Sequence, residues 1–465
     1  MLKKRPDHCW YTTENVDLVL LNYAERIACI PLVLGDDAHS VQSVVIKAAQ
    51  SSDVKEGKSR ESHCLCLCWC GRIRYNPRHL SCKGNAEPVV PDIRDVVPVS
   101  TSCALGKTCR SRRIQNGGVI VWLNVGAWVR VARAWHDWQG AKFARFGDNM
   151  RFVSVTDGDK VSAQMALGIS VENYGVNALV AAVAAVSDAD AEALAAEYER
   201  LYDVASELKA GAPRHDSLVY AAKQEIALRG FLEAGGFNAF TSNFEDLGDL
   251  KQLPGLAVQR LMADGYGFGG EGDWKTSALG AILKSMTPAG GGTSFMEDYT
   301  YHFGPGPAKV LGAHMLEVCP TITKAKPKIE IHPLGIGGKE DPVRMVFTAT
   351  PAAGRVVCLV DLGDRFRIVQ NEIEIVEPNE DLPNLPVARA VWQPAPSLET
   401  SAEAWMLAGG SHHTVLTNSV TAEAIEDFAR IAKVELVSID EATEMRAFRK
   451  ELQWSAAYHR LAERL

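Results

Sequence analysis

The sequence predicts an α/β protein with a central parallel sheet that carries helices on both faces, in the manner of a Rossmann-like fold, followed by an antiparallel β-barrel. Two observations support this class. Short apolar strands alternate with helical segments over residues 141–290, and alternation of that kind is typical of parallel sheets. After residue 290 the pattern changes to short alternating strands separated by Gly, Asp or Pro, which favours an antiparallel barrel or sandwich.

The central region begins with GAWVRVARAWHDWQG, which reads as a helix, followed by AKFARFGDNM and FVSVT, which read as strands. Helices are then expected at about 157–169, at 177–208 with a break near Ser187, and at 217–235. Ligands of parallel sheets bind at the carboxyl ends of strands. We therefore expect a ligand to meet two strand ends, Asp148–Asn149–Met150 and Asn243–Phe244–Glu245.

The later strands are expected in KPKIEIHPLGI, VRMVFTATP, GRVVCLVDLG, DRFRIVQNEIEIVEP and PVARAVWQP. The chain then returns to helices in LETSAEAWMLAGG, TAEAIEDFARIAK and the closing ATEMRAFRKELQWSAAYHRLAERL. These changes of texture predict three domains, 1–140, 141–290 and 291–465, of which the first is atypical.

Composition excludes several classes of protein. The 465 residues are 47% hydrophobic and 23% charged, and no apolar run approaches the length of a membrane helix. The start, MLKKRPDHCWYTTENVDLVLL, does not read as a signal peptide, because charged and polar residues interrupt its apolar stretch, so we expect a cytoplasmic protein. Residues 1–118 have a net charge of +5 (17 Lys and Arg, 12 Asp and Glu) and the remainder −13 (32 and 45), which together give −8. An acidic body argues against nucleic acid as the main partner.

Cysteine usage also separates the first 118 residues from the rest, because nine of the eleven cysteines lie at or before Cys109. The run Cys64, Cys66, Cys68, Cys70 has the wrong spacing for a structural zinc site, which uses C-x2-C to C-x4-C loops. A zinc-binding or nucleic-acid-binding module at residues 60–113 is therefore disfavoured.

Candidate metal ligands lie between Gly265 and His314 and again near residue 412. Glu271 and Glu297 follow glycine-rich turns, His314 lies in an apolar, strand-like run, and His412 and His413 follow a Gly-Gly pair. Two carboxylates and two imidazoles without a cysteine cluster indicate an open catalytic metal site. Taken singly, however, these residues read as surface acids, a core histidine and a loop pair. Asp298, His302 and His332 are nearby residues of the same types that we do not expect to bind the metal, and we call them decoys.

Gly265, Gly267 and Gly270 also satisfy G-x-G-x-x-G, the dinucleotide fingerprint. The fingerprint requires a preceding strand, whereas GLAVQRLMADG reads as a helix, and Glu271 would repel a pyrophosphate. An active-site loop with close approach of the backbone is the better interpretation.

Several long motifs resemble the bacterial L-arabinose isomerases. They are GAWVRVA, ARFGDNMRFVSVTDGDKV, TSNFEDLGDLKQLPGLAVQRLMADGYGFGGEGDWKT, GGTSFMEDYTYHF, LGAHMLEVCP, AGGSHHT and LQWSAAYHRL, within about residues 119–465. The resemblance implies that Glu271, Glu297, His314 and His413 bind one Mn2+, with Co2+ or Mg2+ as possible substitutes. It also implies that Met150, Phe244 and Phe295 face the sugar, and that the chain forms a homo-oligomer, a hexamer, with sites at subunit junctions.

The expected reaction interconverts L-arabinose and L-ribulose through an enediol. One of the two glutamates would move the proton between carbons and the other would relay protons among oxygens, and the sequence does not assign which. Residues 1–118 lack the family's GSQ-x-LYG, WMHTFSP and HTQFN segments and resemble a coding sequence read in a shifted frame. The alternative is therefore a catalytically impaired remnant that binds sugar and metal.

Overall fold

The computed structural model describes residues 32–34, 63–65, 117–335 and 337–462. The chain divides into two compact units, residues 1–132 and 133–465. In the first unit, β1 (Leu32–Leu34) pairs antiparallel with β2 (His63–Leu65), and helix α1 (Gly117–Trp138) begins. Apart from these elements, residues 1–116 lie outside the described residues, and with them the interpretations of the cysteine run and of a shifted reading frame.

The second unit opens with a four-stranded sheet in which every pairing is parallel. Its strand order is β4-β3-β6-β7, formed by β3 (Lys142–Phe146), β4 (Ser170–Tyr174), β6 (Phe237–Ser242) and β7 (Gly267–Gly269). Parallel neighbours require long crossovers, and helices supply them. They are α2 (Lys160–Leu167), α3 (Val176–Ala185), α4 (Asp188–Leu201), α5 (His215–Gly235) and α6 (Gly255–Ala263). The predicted α/β class with a parallel sheet is confirmed.

A local signal explains where α4 begins. The predicted break near Ser187 is present, because the Ser187 hydroxyl accepts the Asp190 amide and starts α4. The expected extension of this helix to residue 208 was wrong. Residues Asp203–Val204 form a short strand, β5, that pairs in parallel with β10 (Lys328–Ile331), and the distant partner overrides local helix propensity.

The FVSVT segment is not a strand either. Phe152 has a left-handed backbone with a φ of +65°, and Ser154–Thr156 form a 3-10 turn. The chain therefore leaves β3 as an irregular segment, which continues until α2 begins at Lys160. The strand predicted by alternation was wrong because the segment has no neighbouring strand to pair with among the described residues.

A seven-stranded mixed sheet follows. Six of its strands pair antiparallel in a ring, β12-β15-β8-β9-β14-β13, with β12 also paired to β13, and β16 adds to β13 in parallel. The strands are β8 (Thr293–His302), β9 (Lys309–Ala313), β12 (Ala352–Asp361), β13 (Phe366–Val376), β14 (Arg389–Pro394), β15 (His413–Thr417) and β16 (Glu435–Ile439). The sequence predicted a purely antiparallel sheet, but the sheet is mixed, because β16 follows a helix and lies beside β13 in the same direction.

The remaining elements complete the second unit. Strand β11 (Val343–Val346) joins β10 and β5 in a small three-stranded sheet. The last helices are α8 (Leu398–Leu407), α9 (Ala422–Ala432) and α10 (Met445–Ala462). Among the described helices, none has the length and apolarity that crossing a membrane would need. Domain boundaries near residues 140 and 290 remain a prediction.

Helix α7 (Trp274–Met286) connects the two large sheets. It contacts β6 and β7 of the parallel sheet and also β8, β12 and β15 of the mixed sheet, so it is buried on nearly every face. Small residues allow this close packing: a Cβ atom at Gly267 would lie 2.1 Å from the Ser277 carbonyl oxygen. The beginning of α7 consequently lies where side chains from both sheets can meet.

Candidate metal centre

Three predicted ligands converge beside the start of α7. One ligand atom each from Glu271, His314 and His413 lies within 4.8 Å of the others, and the Glu271 Oε2 atom is 3.7 Å from His413 Nε2. The Nε2 atoms of both histidines are buried and have no hydrogen-bond partner among the described residues. Buried polar atoms without partners are rare, and two of them aimed at one carboxylate fit a divalent cation.

Glu297 borders this group and lies outside its tightest part. Its Oε2 atom is 3.9 Å from His314 Nε2, and its Oε1 atom is 4.0 Å from His412 Nε2. Glu297 does follow a glycine-rich turn, but it lies inside β8, opposite His413 of β15 and Ala313 of β9, and not in the turn itself. Strand register therefore brings Glu297 between the two histidine-bearing segments.

The two histidines also lie differently from the expectation. His314 is the first residue after β9 and not part of the strand, whereas His413, expected in a loop, is the first residue of β15. Among the decoys, Asp298 accepts a hydrogen bond from the Tyr301 hydroxyl. His332 lies 2.8 Å from a Glu330 carboxylate oxygen, and neither of these two contacts involves the cluster.

A strained turn presents Glu271. Its φ is +61°, a left-handed conformation that side chains other than glycine rarely adopt, and Gly272 follows with a φ of +82°. The turn is held from two sides: Glu271 accepts the Met150 amide at 2.8 Å, and Gly272 donates to the Ser242 carbonyl at 3.1 Å. Strain of this kind persists only when surrounding contacts enforce it.

Gly270 is required by the close approach of His314. A Cβ atom at Gly270 would lie 2.8 Å from both Cε1 and Nε2 of the His314 imidazole and 3.3 Å from Cζ of Phe295. The glycines of this turn thus serve the approach of an imidazole and of the backbone, as the active-site interpretation of the glycine-rich loop expects, and not a dinucleotide.

Each histidine is oriented by a carboxylate that the sequence did not identify. Glu317 Oε2 is 2.6 Å from His314 Nδ1, and Asp273 Oδ2 is 3.1 Å from His413 Nδ1. An ionised carboxylate only accepts, so Nδ1 carries the proton and the Nε2 lone pair faces the cluster. The sequence did carry a signal for the position of Asp273, because an aspartate before a helical segment is a typical N-cap, and Asp273 caps α7 by accepting the Lys275 and Thr276 amides.

Charge and burial oppose one another around the cluster. Burial raises the pKa of Glu271, and the neighbouring imidazoles only partly counter that rise. Burial alone would lower the pKa of His314, but the adjacent carboxylates, Glu317 first, raise it overall. For Asp273, burial is outweighed by the Lys275 ammonium and the bond to His413, so its pKa is lowered. Four carboxylates surround two imidazoles, a charge balance that suits a bound cation.

The predicted substrate-facing residues lie close by. Phe295 is buried, and its ring centre is 4.9 Å from that of His314 and 5.2 Å from that of His413. Phe244 lines a cavity that also includes Glu271 and His314. Met150 is tied to the Glu271 backbone through its amide. Their contact with a sugar stays a prediction.

A cluster of carboxylate and imidazole groups where two sheets of an α/β protein meet is typical of enzymes that use a metal ion on small polar substrates. Comparison with known proteins narrows this class. Residues 142–289 match the L-arabinose isomerase central domain, and residues 292–435 match the L-arabinose isomerase C-terminal domain.

Curated relatives agree with this match. The L-arabinose isomerase of a Nocardioides species is 60% identical over 342 residues, which cover 73% of this chain and 68% of the relative. That of Clavibacter sepedonicus is 59% identical over 343 residues, with 74% and 68% covered. That of Geobacillus kaustophilus is 54% identical over 333 residues, with 72% and 67% covered. The chain therefore belongs to the L-arabinose isomerase family, and the sequence-based assignment to these isomerases is confirmed.

Proposed function

We propose that this protein is a metal-dependent aldose–ketose isomerase that interconverts L-arabinose and L-ribulose. The single observation that carries the proposal is the convergence of Glu271 with two buried, unpartnered imidazole nitrogens, from His314 and His413, in a chain of this family. A sugar with adjacent carbonyl and hydroxyl oxygens is a suitable bidentate ligand for a metal ion at such a centre.

The ion would be held by Glu271, His314 and His413, with Glu297 as the fourth protein ligand. A set of oxygen and nitrogen donors without thiolate suits Mn2+, with Co2+ or Mg2+ as substitutes. When bound, such an ion supplies Lewis-acid polarisation of the sugar oxygens. Glu317 and Asp273 would keep both Nε2 lone pairs directed at it.

The chain itself must move a proton between two adjacent carbons. The carbon acid is weak, so a carboxylate positioned beside it is needed to remove and return the proton through an enediol. Glu271 and Glu297 are the two candidates, with side chains 12% and 24% exposed, and the second acid would relay protons among the sugar oxygens.

Apolar side chains beside the centre support the same chemistry. Besides Glu271, His314, Glu317, Ser242 and Gly270, the cavity is lined by six apolar residues, namely Phe244, Leu247, Leu253, Pro254, Phe268 and Met315. Surroundings that exclude water strengthen the interaction of a carboxylate with developing charge. Met150 and Phe244 would present their side chains to the carbon face of the sugar, and Phe295 would fix the ring planes of both histidines.

The decisive experiment measures ketose formed from L-arabinose by the full chain, with Mn2+ and after chelation, together with the melting temperature. We expect Glu271→Gln and Glu297→Gln each to lower turnover by at least about 100-fold with little change in folding. Glu330→Gln is the matched control, because its acid contacts a histidine, His332, elsewhere in the fold. Unchanged turnover in either site variant would refute the catalytic roles assigned to these two acids.

The same measurement distinguishes an active isomerase from the alternative, a catalytically impaired remnant that binds sugar and metal. If Mn2+ raises the melting temperature of the parent chain but no ketose forms, the protein binds metal without turnover. The hexamer with sites at subunit junctions is also a proposal, and the mass of the particle in solution tests it.

A further inference from the structure

Lys275, in the first turn of α7, is a buried cation that the proposed chemistry does not use. Only 4% of its side chain is exposed. Its ammonium donates to the carbonyl oxygen of Val155 at 2.8 Å and to that of Asp157, and it lies 3.9 Å from Asp273 Oδ1. Burying an ammonium is costly unless its protons are bonded, so this arrangement fixes three groups relative to one another.

Two of these groups belong to the connecting segment, residues 147–159, between β3 and α2. The near end of this segment is fastened elsewhere, since the Met150 amide donates to the Glu271 carbonyl and the Asn243 side chain donates to the Asp148 carbonyl at 3.2 Å. Lys275 fastens the far end. The segment that carries Met150 is therefore held at both ends by residues next to the metal centre.

The segment also packs directly on the beginning of α7. A Cβ atom at Gly158 would lie 3.0 Å from Cζ2 of Trp274 and 3.2 Å from Cδ of Lys275. Buried Arg145 adds a second cation on the same side, paired with Asp148 and 3.7 Å from an Asp157 carboxylate oxygen. The segment is therefore in contact with Lys275 and Trp274 at Gly158 and with Arg145 at Asp148 and Asp157.

The third group, Asp273, links Lys275 to the candidate centre. One carboxylate oxygen of Asp273 faces the ammonium and the other lies 3.1 Å from His413 Nδ1. A carboxylate held between an ammonium and an imidazole has little freedom to rotate. Removing the ammonium would release the far end of the connecting segment and would take the neighbouring positive charge away from Asp273, whose carboxylate keeps its bonds to the Lys275 and Thr276 amides.

We propose that Lys275 is a positioning residue for the isomerisation, which ties the connecting segment bearing Met150 to the Asp273–His413 pair so that substrate contact and metal ligand keep one geometry. The inference rests on the proposed function. Because Lys275 contacts both the connecting segment and Asp273, we expect removal of its ammonium to weaken both Mn2+ binding and sugar binding. If Lys275 only stabilised α7, its removal would change neither.

The test compares Lys275→Met with Lys284→Met in the full chain. Lys284 lies on the same helix and its ammonium also bonds a carbonyl, Thr293 at 2.6 Å, but it contacts neither Asp273 nor the connecting segment. We measure Mn2+ affinity by titration, amide hydrogen exchange of residues 150–158, and KM and kcat separately. For Lys275→Met we expect roughly 10- to 100-fold weaker Mn2+ binding, faster exchange of the segment and a raised KM with lowered kcat. For Lys284→Met we expect parental values.

Parental Mn2+ affinity and parental exchange in Lys275→Met would overturn the proposal, as would equal changes in both lysine variants. If Lys275→Met does not fold, Gly158→Ala approaches the same contact from the segment side, and it must show the same weaker Mn2+ binding and faster exchange. If the parent chain forms no ketose, the proposed function fails, but affinity and exchange still decide the role of Lys275.

Discussion

The two halves of the candidate centre are built in different ways. Glu271 comes from a turn after β7 with a left-handed backbone, glycines on both sides and no tolerance for added atoms. Glu297 and His413 come from paired strands, where register alone places them opposite one another. The comparison teaches that one half depends on local backbone conformation and the other on long-range pairing, so the two halves should fail differently when altered.

The turn half should be the more fragile. In Gly270→Ala the new methyl group meets the His314 imidazole, which cannot move aside because Glu317 and Phe295 hold it. We expect kcat/KM to fall by about 100-fold or more, equivalent to about 2.7 kcal/mol. Gly230→Ala in helix α5, where a Cβ atom meets nothing within 4 Å, is the control and should keep parental activity. Equal activity of the two variants would show that the close approach is unimportant.

Substitutions of Asp273, which orients His413, and of Glu317, which orients His314, allow a direct comparison of the two histidine ligands. Asp273→Asn and Glu317→Gln keep the size of the side chain but remove the negative charge beside the Nδ1–H group, so each weakens the bond that orients one imidazole. We expect Mn2+ affinity, measured by titration, to fall by about 10- to 100-fold in both. A loss in only one variant would mean that a single histidine dominates binding, and the comparison would have to be revised.

Glu435, in strand β16 of the mixed sheet, should affect the stability of the protein and not its activity, because it lies away from the candidate centre. Burial opposes the ionisation of Glu435, but Arg367, Ser455 and Arg365 donate to its carboxylate and lower its pKa to about 2. A lowered folded pKa stabilises the protein above the ordinary value of about 4.5 and loses that contribution as pH falls toward 2. Glu435→Gln should cost about 2 kcal/mol near pH 7, and less as pH falls below 4.5, in denaturant unfolding. A pH-independent difference would contradict this.

The smallest effect is expected in the parallel-sheet region far from the turn. Ser187→Ala removes the oxygen that accepts the Asp190 amide at the start of α4. The free energy of unfolding should fall by about 1 kcal/mol, with turnover unchanged. A change in turnover would show that helix α4 is coupled to the centre.

Much of the fold could be predicted because its signals are local. Helix starts such as Ser187, the parallel sheet and the strands after residue 327 follow from capping residues and periodicity. The strand Asp203–Val204 could not be predicted, because only its partner β10 makes it a strand. The FVSVT segment failed for the converse reason, since its alternation has no pairing strand among the described residues.

By itself the sequence determined the candidates: family motifs named Glu271, Glu297, His314 and His413, and donor chemistry suggested a cation. Only the tertiary structure decided that His413 lies opposite Glu297 and that Asp273 and Glu317 orient the imidazoles. The physical reason is distance along the chain. Pairing between residues far apart in the sequence depends on register and packing, which no local pattern encodes, whereas side-chain chemistry is present in every residue from the start.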